Sequence, residues 1–364
     1  MMHHIRQHDG NITVYLPLKE RDIYLVGTFS QWQVQQRFKM QSCGGQLILT
    51  VPFEPLNKIG NSGYIEFYFW DDAAQLPLPI PSDLSAGYYF NNQCNQGHNL
   101  LLFPTSPSTS ELLTIADLSN QSLTIKQCET EFDSVKQLAN FRAVTGGALA
   151  PDRLYRSYHP VLASRQNHPQ LKSIEIVRQK AVRALFEQAG IQTVINLSET
   201  TSELVQAMET APDSAYKQCW QERRVHCVPM AYETVYFMSD RDESFLPNEL
   251  GFQSGIREVI NIVASQPGPY LVHCRLGSDR TGVVSAFLQL LMGAEVVDIE
   301  QSYLITNQLG IGEYRSFKLL RHALVTSLGV NCFEPEVDCV GEYLATLGIF
   351  PEIIERARMH LAGG

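Results

Sequence analysis

The stretch PYLVHCRLGSDRTG, residues 269–282, decides the fold. Residues 270–273 are a short apolar run of strand type, and residues 281–292 have helical spacing. Between them lie a few mostly polar residues around Gly277. A tight loop from a strand end to a helix start turns successive backbone N–H groups inward. Together with the helix dipole they form a cradle for an anion. Cys274 stands at the base of this cradle, where positive potential favours the thiolate, the nucleophilic form of the side chain. Arg280 can grip two oxygens of a phosphate as a planar fork and hold it in line for attack. Gly277 lets the backbone approach the ligand closely. Thr281 can donate a hydroxyl hydrogen bond to the sulfur, and His273, behind the cysteine, can hold the loop shape.

Working outward, the chain after residue 136 alternates helix and strand. Residues 174–189 have helical spacing and stop at Gly190; residues 193–197 and 225–230 read as strands, and residues 252–264 as a helix. From Asp298 onward the pattern is helical. This order predicts an α/β domain over residues 136–364, a central mostly parallel sheet flanked by helices. Before residue 105 the text is strand-like: residues 12–15, 23–26, 47–51 and the aromatic-rich 64–70, separated by Gly10, Gly27, Gly44, Gly45, Asn61 and Gly63. That spacing predicts a small all-β, immunoglobulin-like sandwich over residues 10–104. The segment PTSPSTS, residues 104–110, is polar and aperiodic and begins an expected linker over residues 105–135, of which residues 111–135 could pack on either domain.

Length and composition set the outer bounds. A chain of 364 residues suggests two domains, and 44% hydrophobic against 18% charged residues excludes a disordered chain. The net charge of −10 argues against non-specific nucleic-acid binding and adhesion to acidic membranes. The first twenty residues hold no apolar run of signal-peptide length, and no window approaches a transmembrane span. The eight cysteines show no paired or zinc-type spacing, so free thiols, no structural metal and no cofactor are expected. The cytoplasm is the expected compartment, with export by a route lacking a cleaved signal left open.

The segment HCRLGSDRTG resembles the signature of cysteine-dependent protein tyrosine and dual-specificity phosphatases. NFRAV at 140–144 and LYRS at 154–157 resemble the opening of a bacterial tyrosine and lipid phosphatase branch. Residues 190–197 resemble the branch's first sheet strand after the helix, and QSYLITN at 301–307 resembles a later helix. The resemblance implies a phosphomonoesterase working in two steps, with attack by Cys274 and hydrolysis of a cysteinyl-phosphate. The backbone of Arg275, Leu276, Gly277, Ser278, Asp279 and Arg280 would hold the phosphate oxygens. A general acid must protonate the leaving oxygen. By resemblance Asp279 is the first candidate, with Asp240, Asp242 and Glu233, on the stretch after the preceding strand, as alternatives. The implied substrates are proteins phosphorylated on tyrosine, with dual specificity for serine or threonine, and phosphoinositides. Arg275 at the pocket mouth could meet a second phosphate, whereas Ser278 stands where lipid phosphatases often carry a lysine. Arg156 and Ser157 are either at the pocket edge or a structural pair.

Residues 23–32, IYLVGTFSQW, resemble the strand–turn of glycogen- and starch-binding modules. In that light Trp70 is the plausible sugar platform, with Asn91 and Asn92 as polar partners and Trp32 structural. A glucan phosphatase targeted by this domain is the alternative function. A further alternative is a catalytically weak protein that binds phosphate ligands.

Overall fold

The computed structural model describes residues 4–8, 10–17, 21–30, 33–52, 57–59, 62–78, 88–91, 99–103, 124–230, 250–313, 315, 317–334 and 337–364. They divide into two compact units, Met1–Ser122 with Gly312–Tyr314, and Leu123–Ile311 with Arg315–Gly364.

Among the described residues the strands of the first unit all pair antiparallel, with 3-10 turns at Thr28–Ser30 and Gln36–Phe38. Strands β1 (His4–His8), β2 (Asn11–Leu16), β5 (Gln46–Pro52) and β4 (Gln41–Cys43) form one sheet in that order. Strands β3 (Ile23–Gly27), β7 (Ser62–Asp71), β10 (Asn99–Leu102) and β9 (Tyr88–Asn91) form the other, and β6 (Asn57–Ile59) and β8 (Leu76–Pro77) also pair with β7. Strand β2 shows the period-2 logic: Ile12, Val14 and Leu16 are buried and the alternate positions are not. The β4–β5 hairpin closes through Gly44 and Gly45, both at positive φ (60° and 82°), as a two-residue type I′ turn demands.

The second unit is built on a five-stranded sheet of β11 (Arg142–Ala143), β12 (Leu154–Ser157), β15 (Tyr270–His273), β13 (Thr193–Asn196) and β14 (Val225–Cys227), in that order. All pairings are parallel except β11 with β12 at the edge. The mostly parallel sheet is therefore as expected. Alternate strand residues serve opposite faces. Leu154, Ile195 and Val272 join one buried cluster with helices α5 (Phe252–Ser265), α6 (Asp279–Leu291) and α10 (Pro351–Leu361). Val194 and Leu271 join the other with α2 (Lys172–Gln188), α3 (Thr201–Thr210) and α4 (Ala215–Gln221). Helices α7 (Val296–Leu304), α8 (Phe317–Leu328) and α9 (Cys339–Thr346) complete the expected helical C-terminal part. Every residue of α6 except Arg280 is buried. The predicted stop of α2 is Gly190, at φ +60°, whose N–H bonds the Glu187 carbonyl.

Residues 124–135, read as part of the linker, pack in the second unit. Ile125 bridges Ile311, Lys126 donates its N–H to the Gly310 carbonyl, and the Lys126 ammonium lies 4.7 Å above the Phe132 ring. A short helix α1 (Val135–Leu138) follows, capped by Ser134. The segment looked like a linker because its apolar residues are too few for periodicity; tertiary partners supply the order.

Candidate functional site

Strand β15 is the centre of the sheet and pairs on both sides, with His273 opposite Ser157 of β12 and Asn196 of β13. The chain leaves its C-terminal end as residues 274–278 and enters α6 at Asp279. Ligands in open parallel sheets bind at this end of the strands.

The loop is shaped by what holds its carbonyl oxygens. The Arg275 carbonyl accepts from the His159 N–H at 3.2 Å. The Leu276 and Gly277 carbonyls accept from Asn140 Nδ2 at 3.0 and 3.2 Å. Arg156 Nη2 donates to the Gly277 and Ser278 carbonyls at 2.8 and 3.3 Å. Because the peptide unit is planar, carbonyls drawn outward aim the following N–H groups into the loop. The anion cradle thus follows from its outer bonds. Gly277 has φ +69°, and a Cβ there would lie 2.1 Å from the Ser157 carbonyl oxygen. No other residue fits at the centre of the loop.

Two buried guanidiniums support this loop. Arg156 is 1% exposed. Arg142, packed beside it, donates to the Asn140 side chain at 2.5 Å and to the Ser302 carbonyl at 2.8 Å. Both reach the Thr306 hydroxyl, at 3.0 Å from Arg142 and 3.3 Å from Arg156. Burial, and then the neighbouring Arg156, lower the Arg142 pKa well below the ordinary guanidinium value. A buried guanidinium is stabilised by charge-assisted bonds, each contributing roughly 1.5–3 kcal/mol. Arg156 is therefore a support beneath the loop, and Ser157 is buried with its hydroxyl on the Tyr158 carbonyl.

Cys274 is 3% exposed and free. His273 behind it is fully buried, with Nε2 3.0 Å from the Tyr216 hydroxyl and its ring packed edge-on to His159. Burial, followed by repulsion from His159, pushes the His273 pKa well below its ordinary value, so the ring is neutral. Arg280 donates from Nη1 to the Leu197 and Met230 carbonyls, both at 3.2 Å. These bonds fix the guanidinium from the ends of β13 and the segment after β14. The Thr281 hydroxyl is buried and without a hydrogen-bond partner, so its expected bond to the Cys274 sulfur is not formed here. The first turn of α6 fixes Thr281 among buried neighbours.

Arg275, expected at the mouth, pairs through Nε with Glu199 Oε1, and its side chain stays 41% exposed. Glu199 is fully buried, bonded also by His159 Nε2 at 2.9 Å and the Ser198 hydroxyl at 2.7 Å. His159 Nδ1 accepts from the Val161 and Leu162 N–H groups, which assigns its proton to Nε2, facing Glu199. Burial pushes the Glu199 carboxyl up, but His159, Arg275 and Ser198 more than reverse this and hold it well below the usual carboxylate range. Asp279 is 6% exposed and ion-paired with Arg315, Oδ1 to Nε 2.6 Å. Glu233, Asp240 and Asp242 lie outside the described residues.

The sequence reading missed Glu199 and Arg315, and quoted Asn140 without giving it a role. Glu199 was findable in principle, because it follows a parallel strand at its C-terminal end, where sites gather. Nothing local marks Arg315. Among the described residues no group of three or more His, Cys, Asp or Glu side chains could hold a metal ion. Among them, no helix is long and apolar enough to cross a membrane. In the first unit Trp70 is half-buried on β7, opposite Tyr24. Trp32 and Asn92 lie outside the described residues, and the Asn91 side chain is not described.

A buried cysteine at the start of such a loop, with an arginine in the first turn of the following helix, is the equipment of a cysteine-type phosphatase. Residues 134–356, more than half of the chain, match the family model of the tyrosine phosphatase family. The chain belongs to that family and is a phosphatase. Among solved structures it is similar to the core catalytic domain of the PP-IP phosphatase SIW14 from S. cerevisiae in complex with citrate. The identity is 18%, over 50% of this chain and 81% of that one, with a TM-score of 0.28. The comparison with curated proteins returned no match.

Proposed function

We propose that the chain hydrolyses phosphomonoesters through a cysteinyl-phosphate. The observation that carries this is the loop whose four carbonyls, from Arg275 to Ser278, are all held outward around Cys274. In the first step the Cys274 thiolate attacks phosphorus as the ester P–O bond breaks, and Asp279, protonated on Oδ2 while Oδ1 faces Arg315, gives that proton to the leaving oxygen. In the second step water attacks phosphorus, the S–P bond breaks and the Asp279 carboxylate takes the water's proton. The products are the alcohol and inorganic phosphate. The inward amides and the Arg280 guanidinium stabilise the equatorial oxygens in both steps. Leu276 and Ser278 contribute backbone only, and Asp240 or Asp242 is the alternative acid.

The substrates are phosphotyrosine proteins, with dual specificity extending to phosphoserine and phosphothreonine, or phosphoinositides. Arg275 supports the second class. Its Nε is anchored on buried Glu199 while the side chain remains 41% exposed, which suits a second anionic group beside the reacting phosphate. The first unit is proposed as an immunoglobulin-like sandwich that resembles a glycan-binding module, with residues 10–104 as its extent. The half-buried Trp70 on β7 supports the glucan phosphatase alternative.

The test compares phosphate release by the wild type and Cys274→Ser in EDTA. The panel holds phosphotyrosine and phosphoserine peptides, short-chain phosphoinositides and solubilised phosphoglucan. Release by the wild type alone supports the thiol mechanism, and the preferred substrate selects the class. Equal release by the Ser variant refutes it.

A further inference from the structure

Asp279 sits in the first turn of α6, next to Arg280. The Arg315 Nε lies 2.6 Å from its Oδ1, and the two side chains are 13% and 8% exposed. Arg315 comes from the short segment between the 3-10 turn Ile305–Leu309 and α8. Asn307 of that turn grips the Arg315 backbone from both sides. Its Nδ2 donates to the Arg315 carbonyl at 3.1 Å, and its Oδ1 accepts the Arg315 N–H at 2.6 Å. The preceding residue, Thr306, is the one whose hydroxyl accepts from Arg142 and Arg156. One turn of five residues is therefore fastened to the supports of the loop through Thr306 and to its carboxylate through Asn307 and Arg315.

We infer that Arg315 is a positioning residue for Asp279. It holds the Asp279 carboxyl in one orientation in the first turn of α6, and Asn307 in turn fixes Arg315. An aspartate has two free torsions, and a proton donor acts only within hydrogen-bond reach of the oxygen it serves. The anchored guanidinium removes that freedom before the substrate arrives. The inference rests on the reading that Asp279 protonates the leaving oxygen.

The test uses the leaving group, because p-nitrophenyl phosphate releases a stabilised anion that needs little protonation and phenyl phosphate does not. Kinetics are measured on both for the full chain and for Asp279→Asn, Arg315→Met, Arg315→Lys and the double variant Asp279→Asn/Arg315→Met. Arg315→Met is expected to lose ~10–100-fold in kcat on phenyl phosphate, with a much smaller loss on p-nitrophenyl phosphate. KM should change little. Arg315→Lys should recover part of the loss, and in the Asp279→Asn background Arg315→Met should cost nothing more. If Asp279→Asn shows the leaving-group dependence and Arg315→Met does not, the inference is overturned while the acid assignment stands. An Arg315 loss that is equal on both substrates, or additive with Asp279→Asn, overturns it too. If Asp279→Asn itself shows no such dependence, the acid assignment fails and the inference with it. Should Arg315→Met not fold, judged by its melting curve, Asn307→Ala carries the same comparison, since it frees Arg315 without touching Asp279.

Discussion

Gly277→Ala is the sharpest perturbation of the cradle. The new Cβ would sit 2.1 Å from the Ser157 carbonyl oxygen and 2.5 Å from its carbon. Both are backbone atoms of a strand paired on each side, so they cannot turn away. The loop must withdraw by about 1 Å to reach a tolerable contact, and a misplacement of that size reduces turnover by about 100-fold. The withdrawal breaks the Asn140 bonds to the Leu276 and Gly277 carbonyls and the Arg156 bond to Gly277. It leaves buried donors unsatisfied, at roughly 1–3 kcal/mol. Holding an alanine at φ +69° adds roughly 1–2 kcal/mol. The expected result is a stability loss of about 2–5 kcal/mol by urea denaturation. A parallel fall of about 100-fold in kcat/KM on p-nitrophenyl phosphate is expected in the fraction that remains folded. An alanine variant within threefold of wild type in turnover, and equally stable, would refute the reasoning that the outer bonds shape the cradle.

Three further predictions concern the supports and the thiol. Arg156→Met removes the donor beneath the Gly277 and Ser278 carbonyls and should lower kcat by ~10–100-fold, read in steady-state kinetics; an unchanged kcat would make Arg156 a packing residue only. His273 and Glu199 are both depressed in the folded chain. The stability His273 contributes is complete above its unfolded value of about 6.5 and falls as pH drops below it; that of Glu199 is complete above about 4.3 and falls below that. Urea midpoints of the wild type and Glu199→Gln should therefore differ most near neutrality and converge below about pH 4.3, and a constant gap would show that Glu199 acts through packing alone. Peroxide should abolish activity and thiol should restore it, as expected for a sulfenic acid or disulfide at Cys274; activity that survives peroxide would count against a reactive thiolate.

The chemistry was legible in residues 269–282 because its signals are local: an apolar run, a glycine where φ must be positive, and a cysteine and an arginine across one loop. Helix boundaries were legible for the same reason, Gly190 among them. The supports were not. Arg156 and Asn140 stand 121 and 136 residues from the carbonyls they hold, and no periodicity joins them. They were visible only as pieces of a resemblance. Arg275 was placed at the pocket mouth without its partner, because Glu199 is brought to it by the pairing of β13 with β15. Thr281 was read toward the sulfur because spacing along a helix gives proximity and not the direction of a hydroxyl.

The same long spans bear on how the enzyme is born. Synthesis proceeds from the N-terminus at about 5–20 residues per second, and early segments fold before later ones exist. Residues 274–280 can leave the ribosome with Cys274 and Arg280 both present, yet Thr306, which braces both buried arginines, is made later. Contacts that span this much chain form late and together. A nascent or truncated chain that stops before Thr306 is therefore expected to carry the whole signature without the bracing of its supports, and to gain activity only once that segment docks. Phosphate release by a translating, stalled chain would be the direct record of that step.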